Sequence, residues 1–141
     1  MADREKKSLK FEKFDPVVVS TVRGSSMMDA AAVDDFGDQM IAYVKANPAV
    51  FLMLNFNRVE YLSSAAISQL IRINEAVNAS NGILRLCGLS KRIYEVFKMT
   101  NMHEFFKVNQ DESAEEAVSR FQRTAKRDQE EKAWSKRMEK K

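Results

Sequence analysis

In 141 residues the chain has one cysteine, one histidine, two prolines and four glycines. Each scarcity excludes something. The single cysteine, Cys87, forms no internal disulfide, which fits a reducing, cytoplasmic setting. It lies in the apolar run ILRLCG, the usual place of a buried structural thiol. The single histidine, His103, leaves no ligand spacing for a metal, and any catalytic dyad would have to use it. It sits beside aromatics in NMHEFF, where a structural role is expected. The scattered glycines form neither a GxGxxG turn nor a Walker-type loop, so no nucleotide or other cofactor is expected. No apolar run approaches membrane-spanning length, and MADREKKSLK lacks the apolar core of a signal peptide, so membrane insertion is not expected. Aromatic residues are not interleaved with basic ones on any candidate strand, which argues against a nucleic-acid platform. No catalytic residue stands out, and an enzyme is not expected.

What is present describes one soluble domain with a single sizeable core. The net charge of +3 is modest, and Lys and Arg crowd toward the two ends, as in a solvated tail. Residues 1–15 read as a charged segment whose LKFEKF alternates well enough for an edge strand. PVVVSTVRG is β-branched and stops at Gly24, a strand followed by a turn. Asp29 is placed to cap a helix carrying Val33, Phe36, Met40, Ile41 and Val44 at helical spacing, with Gly37 weakening it slightly. AVFLMLNF is almost continuously apolar, as a central strand buried on both faces would be. A second helix starts near Ser64, with Ile67, Leu70, Ile71, Ile73 and Val77 as its apolar side, and Asn81 and Gly82 close it. GILRLCG is the next strand. Ser90 caps a third helix with Ile93, Val96 and Phe97 inward, and FFKVN is a candidate last strand. Ser113 and Glu116 stand at capping-box spacing ahead of a final helix. Residues 16–121 thus form an α/β domain with a mixed or parallel sheet. Residues 122–141 are a basic helical or disordered tail, whose thin apolar stripe of Ala125, Trp134 and Met138 suits solvent better than docking.

Two adjacent hydroxyls, in YLSSAAISQLIRI, remain unexplained by this architecture. A serine before the first helical turn caps it by accepting a hydrogen bond from an amide that otherwise lacks a partner. Capping accounts for one of Ser63 and Ser64. A serine at a helix start is also electrostatically suited to carry phosphate.

The segment LNFNRVEYLSSAAISQLIRI, followed by NGILRLCGLSKRIYEVFKMTNMHEFFKV, resembles a STAS domain of the bacterial anti-sigma factor antagonist type. PVVVSTVRG with Asp29 is a looser match to that family's first core strand and loop. The resemblance implies one STAS-like domain, a mixed sheet with helices packed mainly on one face, and here a C-terminal helical extension. It places the family's Asp-Ser-Ser/Thr-Gly motif on residues 63–66. The aspartate falls on Ser63, the phosphorylated serine on Ser64, the next hydroxyl on Ala65 and the glycine on Ala66. Ser63, Ala65, Ala66 and Asp29 are then expected to contact a partner or cap a helix. Ala66 adds a methyl group where a partner would approach. The implied partners are a serine kinase that is also an anti-sigma factor, and a PP2C-type phosphatase. The competing expectation is a constitutive STAS scaffold or transporter-accessory domain that is never phosphorylated. The departures at Ser63, Ala65 and Ala66 favour that alternative.

Overall fold

A computed structural model of the chain describes residues 9–24, 30–108 and 112–139. Four strands, β1 (Glu12–Phe14), β2 (Val17–Thr21), β3 (Phe51–Asn55) and β4 (Ile83–Cys87), form one sheet in that order. β1 pairs antiparallel with β2, while β2, β3 and β4 run parallel, with Val17 opposite Phe51 and Phe51 opposite Ile83. Helix α1 (Ala30–Ala46) links β2 to β3, and α2 (Ser64–Ala79) links β3 to β4. Then follow α3 (Lys91–Met99), the single turn α4 (Met102–Phe105) and the long α5 (Ala114–Glu139). Parallel neighbours need such crossovers, because a tight turn cannot reverse the chain twice. None of the described helices is long and apolar enough to cross a membrane.

Strand periodicity divides the core into two. Leu52 and Leu54 face α1 and α2, packing with Phe36, Met40, Leu70, Ile73 and Val77, while Phe97 and Phe106 close the same layer. Phe51 and Met53 face the other way, onto Ala117, Phe121 and Ala125 of α5. β3 is therefore buried on both sides, which is why its sequence shows no alternation.

α5 runs antiparallel to the three parallel strands. Glu112, just ahead of α5, acts electrostatically on Cys87 at the carboxyl end of β4, and Lys132 Nζ donates to Asn81 O at the amino end, 2.7 Å away. The capping box is formed: Glu116 N donates to Ser113 Oγ at 3.1 Å, and Ser113 N donates to Glu116 Oε1 at 2.9 Å.

Three expectations are corrected. Ala125 does not face solvent: it is 0% exposed and packs on the sheet with Phe121, so the docked part of α5 runs past residue 121. Residues 105–108 are not a strand. Phe106 and Val108 are both buried and so imitate strand alternation, but Lys107 between them has φ 55°, a left-handed backbone that ends α4 and breaks any extended run. Val96 is 36% exposed rather than inward; the buried residues of α3 are Ile93 and Phe97, with Tyr94 partly buried beside them.

Candidate functional site

The site lies where the chain leaves the carboxyl ends of β2, β3 and β4, the end of an open parallel sheet that ordinarily carries function. The β3–α2 loop is fixed there from both sides. Val22 N donates to Asn55 O, and Phe56 N donates to Cys87 O, both at 2.8 Å, extending the ladder past the strand ends. Asn57 N donates to Asn55 Oδ1 at 3.1 Å. Gly88 has φ +72°, and a Cβ there would collide with Asn55 Oδ1, so glycine lets the β4–α3 connection close against this loop. A Cβ on Gly24 would stand 2.8 Å from Arg58 O, so the chain beyond β2 is equally close. Phe56, Val59 and Leu62 point into the core, which turns Asn57, Arg58, Glu60 and Tyr61 outward; Tyr61 is 63% exposed.

This anchored loop delivers the two serines into different roles. Ser63 is the N-cap of α2: its backbone is extended (φ −83°, ψ 166°) and its Oγ accepts from Ala66 N at 3.1 Å. The first intrahelical bond runs from Ile67 N to Ser63 O, 3.1 Å. Ser64 is the first helical residue, and it and Ala65 are exposed. The amides of this first turn have no carbonyl one turn back, and with the helix dipole they make the local field positive. On the exposed side of this first turn Ser64 is accompanied by the small, uncharged Ala65 and, one turn on, Ser68.

Ala66 does not face outward. It is 0% exposed and belongs to the core layer, so the methyl group that replaces the motif's glycine meets the protein interior, not a partner. The reason is phase: Ala66 precedes Leu70, Ile73 and Val77 along one stripe of α2. Asp29 lies outside the described residues.

A polar bridge behind the site was not anticipated. Gln69 is buried among those apolar residues, its Nε2 donating to Asp34 Oδ1 on α1 at 3.1 Å and its Oε1 accepting from Arg72 Nη1 at 2.6 Å. Arg72 also pairs with Asp38 at 3.7 Å. The bridge ties α1 to α2 and so fixes the helix whose first turn carries Ser64. The signal was available: Gln69 falls on the same stripe as Ala66, Leu70 and Ile73. The other reactive side chains do not join the site. Cys87 packs under α5 with its thiol pushed up to about 12, first by burial and then by Glu112. His103 stacks edge-on against Tyr94, with ring centroids 6.0 Å apart.

The chain was compared with known proteins. The family model described as STAS domain matches residues 9–117. A search of curated proteins found no match. Among solved structures, the chain is similar to an anti-sigma-factor antagonist (STAS) domain protein from Planctomyces limnophilus, with 18% identity and TM-score 0.61 over 70% of this chain and 86% of that one. It is similar to the Bacillus cell fate determinant SpoIIAA in its phosphorylated form, with 20% identity and TM-score 0.57 over 79% and 97%. A variant of RsbS from Moorella thermoacetica gives 11% identity and TM-score 0.65 over 82% and 97%. At these identities the structures speak for the fold, and the family match covers most of the chain. The chain belongs to the STAS domain family.

Proposed function

We propose that this STAS protein is a cytoplasmic anti-sigma factor antagonist, switched by phosphorylation of Ser64. Unphosphorylated, it binds a serine kinase that is also an anti-sigma factor, through the neutral surface around Tyr61, Ser64, Ala65 and Ser68. The kinase transfers the γ-phosphoryl group of ATP to Ser64 Oγ; the hydroxyl proton is lost and ADP leaves. The added phosphate carries roughly two negative charges. At an interface fitted to a neutral hydroxyl, desolvation of that charge is enough to release the partner. A PP2C-type phosphatase resets the protein by hydrolysing the phosphoester. In this reading the chain is a binding module and a substrate rather than a catalyst.

The observation that carries the proposal is the separation of roles between the two serines. Ser63 is engaged as the cap, while Ser64 is exposed on the same rigid helix start. Phosphorylating Ser64 therefore leaves the cap intact, and the positive helix end accommodates the new charge. SpoIIAA, which this chain resembles in fold, has been solved in both unphosphorylated and phosphorylated forms. A constitutive scaffold is the second reading, favoured by the neutral Ser63 and Ala65 where the family motif has an aspartate and a hydroxyl. Incubation with the cognate kinase and ATP, followed by intact mass and a phosphopeptide map, separates the two. One phosphate on Ser64 supports the switch, and none, with the kinase active on a control, supports the scaffold.

A further inference from the structure

The sheet face under α5 is open at one corner. Val17 and Val19 of β2 pack with α5, but Thr21, the next residue on that face, is only half-buried. Glu12 of β1 stands opposite Val19, and the same register continued puts Lys10 opposite Thr21. A pocket of about 410 Å³ opens here, lined by Leu9, Lys10, Glu12, Thr21, Arg23 and Arg58. It lies at the carboxyl end of β2, beside the β3–α2 loop that supplies Arg58. The close approach of that loop to the chain beyond β2 brings both arginines to one pocket. Val22 N donates to Asn55 O at 2.8 Å, and a Cβ on Gly24 would stand 2.8 Å from Arg58 O.

The lining carries three cations and the one carboxylate of Glu12, three minus one, a net of +2. Thr21 and Arg23 are half-buried, while Lys10, Glu12 and Arg58 are exposed. Among the described residues neither Lys10 nor Arg58 forms an ion pair; the pairs there are Arg72–Asp38, Arg120–Glu112 and Lys132–Asp128. Gathering like charges around one concavity costs energy that an anion inside it recovers. The volume falls in the range of small-molecule sites, about 300–1,000 Å³.

We propose that this corner binds a small phosphate monoester. Charge selects the ligand class: a phosphate monoester carries roughly two negative charges near neutral pH and balances the lining, whereas one carboxylate leaves half of the charge uncompensated. The guanidinium forks of Arg23 and Arg58 match phosphate oxygens in pairs, and Lys10 adds a compact positive charge. The Thr21 hydroxyl supplies a further donor. Glu12 only accepts, so it repels the phosphate and takes a hydroxyl or amine on the body of the ligand, with Leu9 against its carbons. The ligand is therefore a phosphorylated polyol or amine rather than bare phosphate. Because the loop bearing Arg58 leads to Ser63, an occupied pocket also braces the start of α2. The site itself does not depend on the phosphorylation of Ser64.

The test titrates the isotope-labelled full chain with glucose-6-phosphate at constant ionic strength and follows backbone amides by NMR. Saturable shifts are expected at the residues lining the pocket, with glucose and gluconate binding at least tenfold more weakly. Lys10→Gln with Arg58→Gln should weaken the probe about tenfold while leaving the melting temperature unchanged, because both side chains are exposed. No saturation, shifts centred elsewhere, or an affinity indifferent to the double substitution would overturn the proposal. Inorganic phosphate binding as tightly as the probe would overturn it in favour of a bare anion site. Tighter binding of an oligoglutamate peptide would overturn it in favour of an acidic protein partner.

Discussion

The side-chain amide of Gln69 occupies the space that a Cβ on Gly37 would need. A methyl group there would collide with Gln69 Oε1 and stand 2.7 Å from its Cδ. Gln69 has little room to retreat, because Asp34 and Arg72 hold its two amide atoms. Helix propensity alone would make Gly37→Ala stabilising by about 1 kcal/mol. The packing argument reverses the sign, with an expected net loss of about 1–2 kcal/mol from overpacking and a broken bridge. Urea unfolding checks it, and a higher midpoint for the alanine variant would show that Gln69 moves aside freely.

Ser20 lies within β2, 0% exposed, and its hydroxyl has no hydrogen-bond partner among the described residues. A buried hydroxyl without a partner keeps its desolvation cost. Ser20→Ala is therefore expected to leave stability unchanged or to raise it by about 1 kcal/mol. A loss of that size in thermal unfolding would mean that the hydroxyl is bonded in solution.

The chain's apolar pattern made much of this fold legible, since β3, α2 and their junction at Ser64 follow from the change between a continuous run and a helical stripe. Pattern misled where backbone geometry overrides it, as at Lys107, whose positive φ ends a segment that reads as a strand. The family motif set Ala66 toward a partner, although its place on the stripe with Leu70 and Ile73 turns it into the core. The second core was hidden for another reason. The face of α5 made by Ala117, Phe121 and Ala125 is narrow, and it is completed by the opposing strand residues Val17, Val19, Phe51 and Met53.

Cys87 gives the protein an alkaline weakness. Burial raises its thiol from 9.0 to about 12 in the folded state, with Glu112 adding to the effect. Below about pH 9 both folded and unfolded thiols are protonated, so nothing is lost. Between 9 and 12 the unfolded thiol ionises while the folded one does not, so stability falls with rising pH by at most about 1.4 kcal/mol per unit. Cys87→Ala should unfold with a shallower dependence over that window, after its own cavity cost is subtracted. Equal slopes for the two proteins would mean that the thiol titrates normally in the folded state.

Ser63→Ala removes the cap and should cost about 1 kcal/mol, while leaving Ser64 available to the kinase. Chemical unfolding and phosphate incorporation, measured on the same preparation, check both halves. Loss of phosphorylation without loss of stability would mean that Ser63, and not Ser64, carries the chemistry.

The most direct measurement compares the affinity of the cognate kinase for three forms of the full chain: unmodified, phosphorylated on Ser64, and Ser64→Ala. The unmodified protein and Ser64→Ala should bind alike, because the binding surface is the neutral one. The phosphorylated form should bind at least tenfold more weakly, about 1.4 kcal/mol, and treatment with a PP2C-type phosphatase should restore the original affinity. Equal affinity for all three forms would contradict the account, since phosphate at the start of α2 would then be no switch.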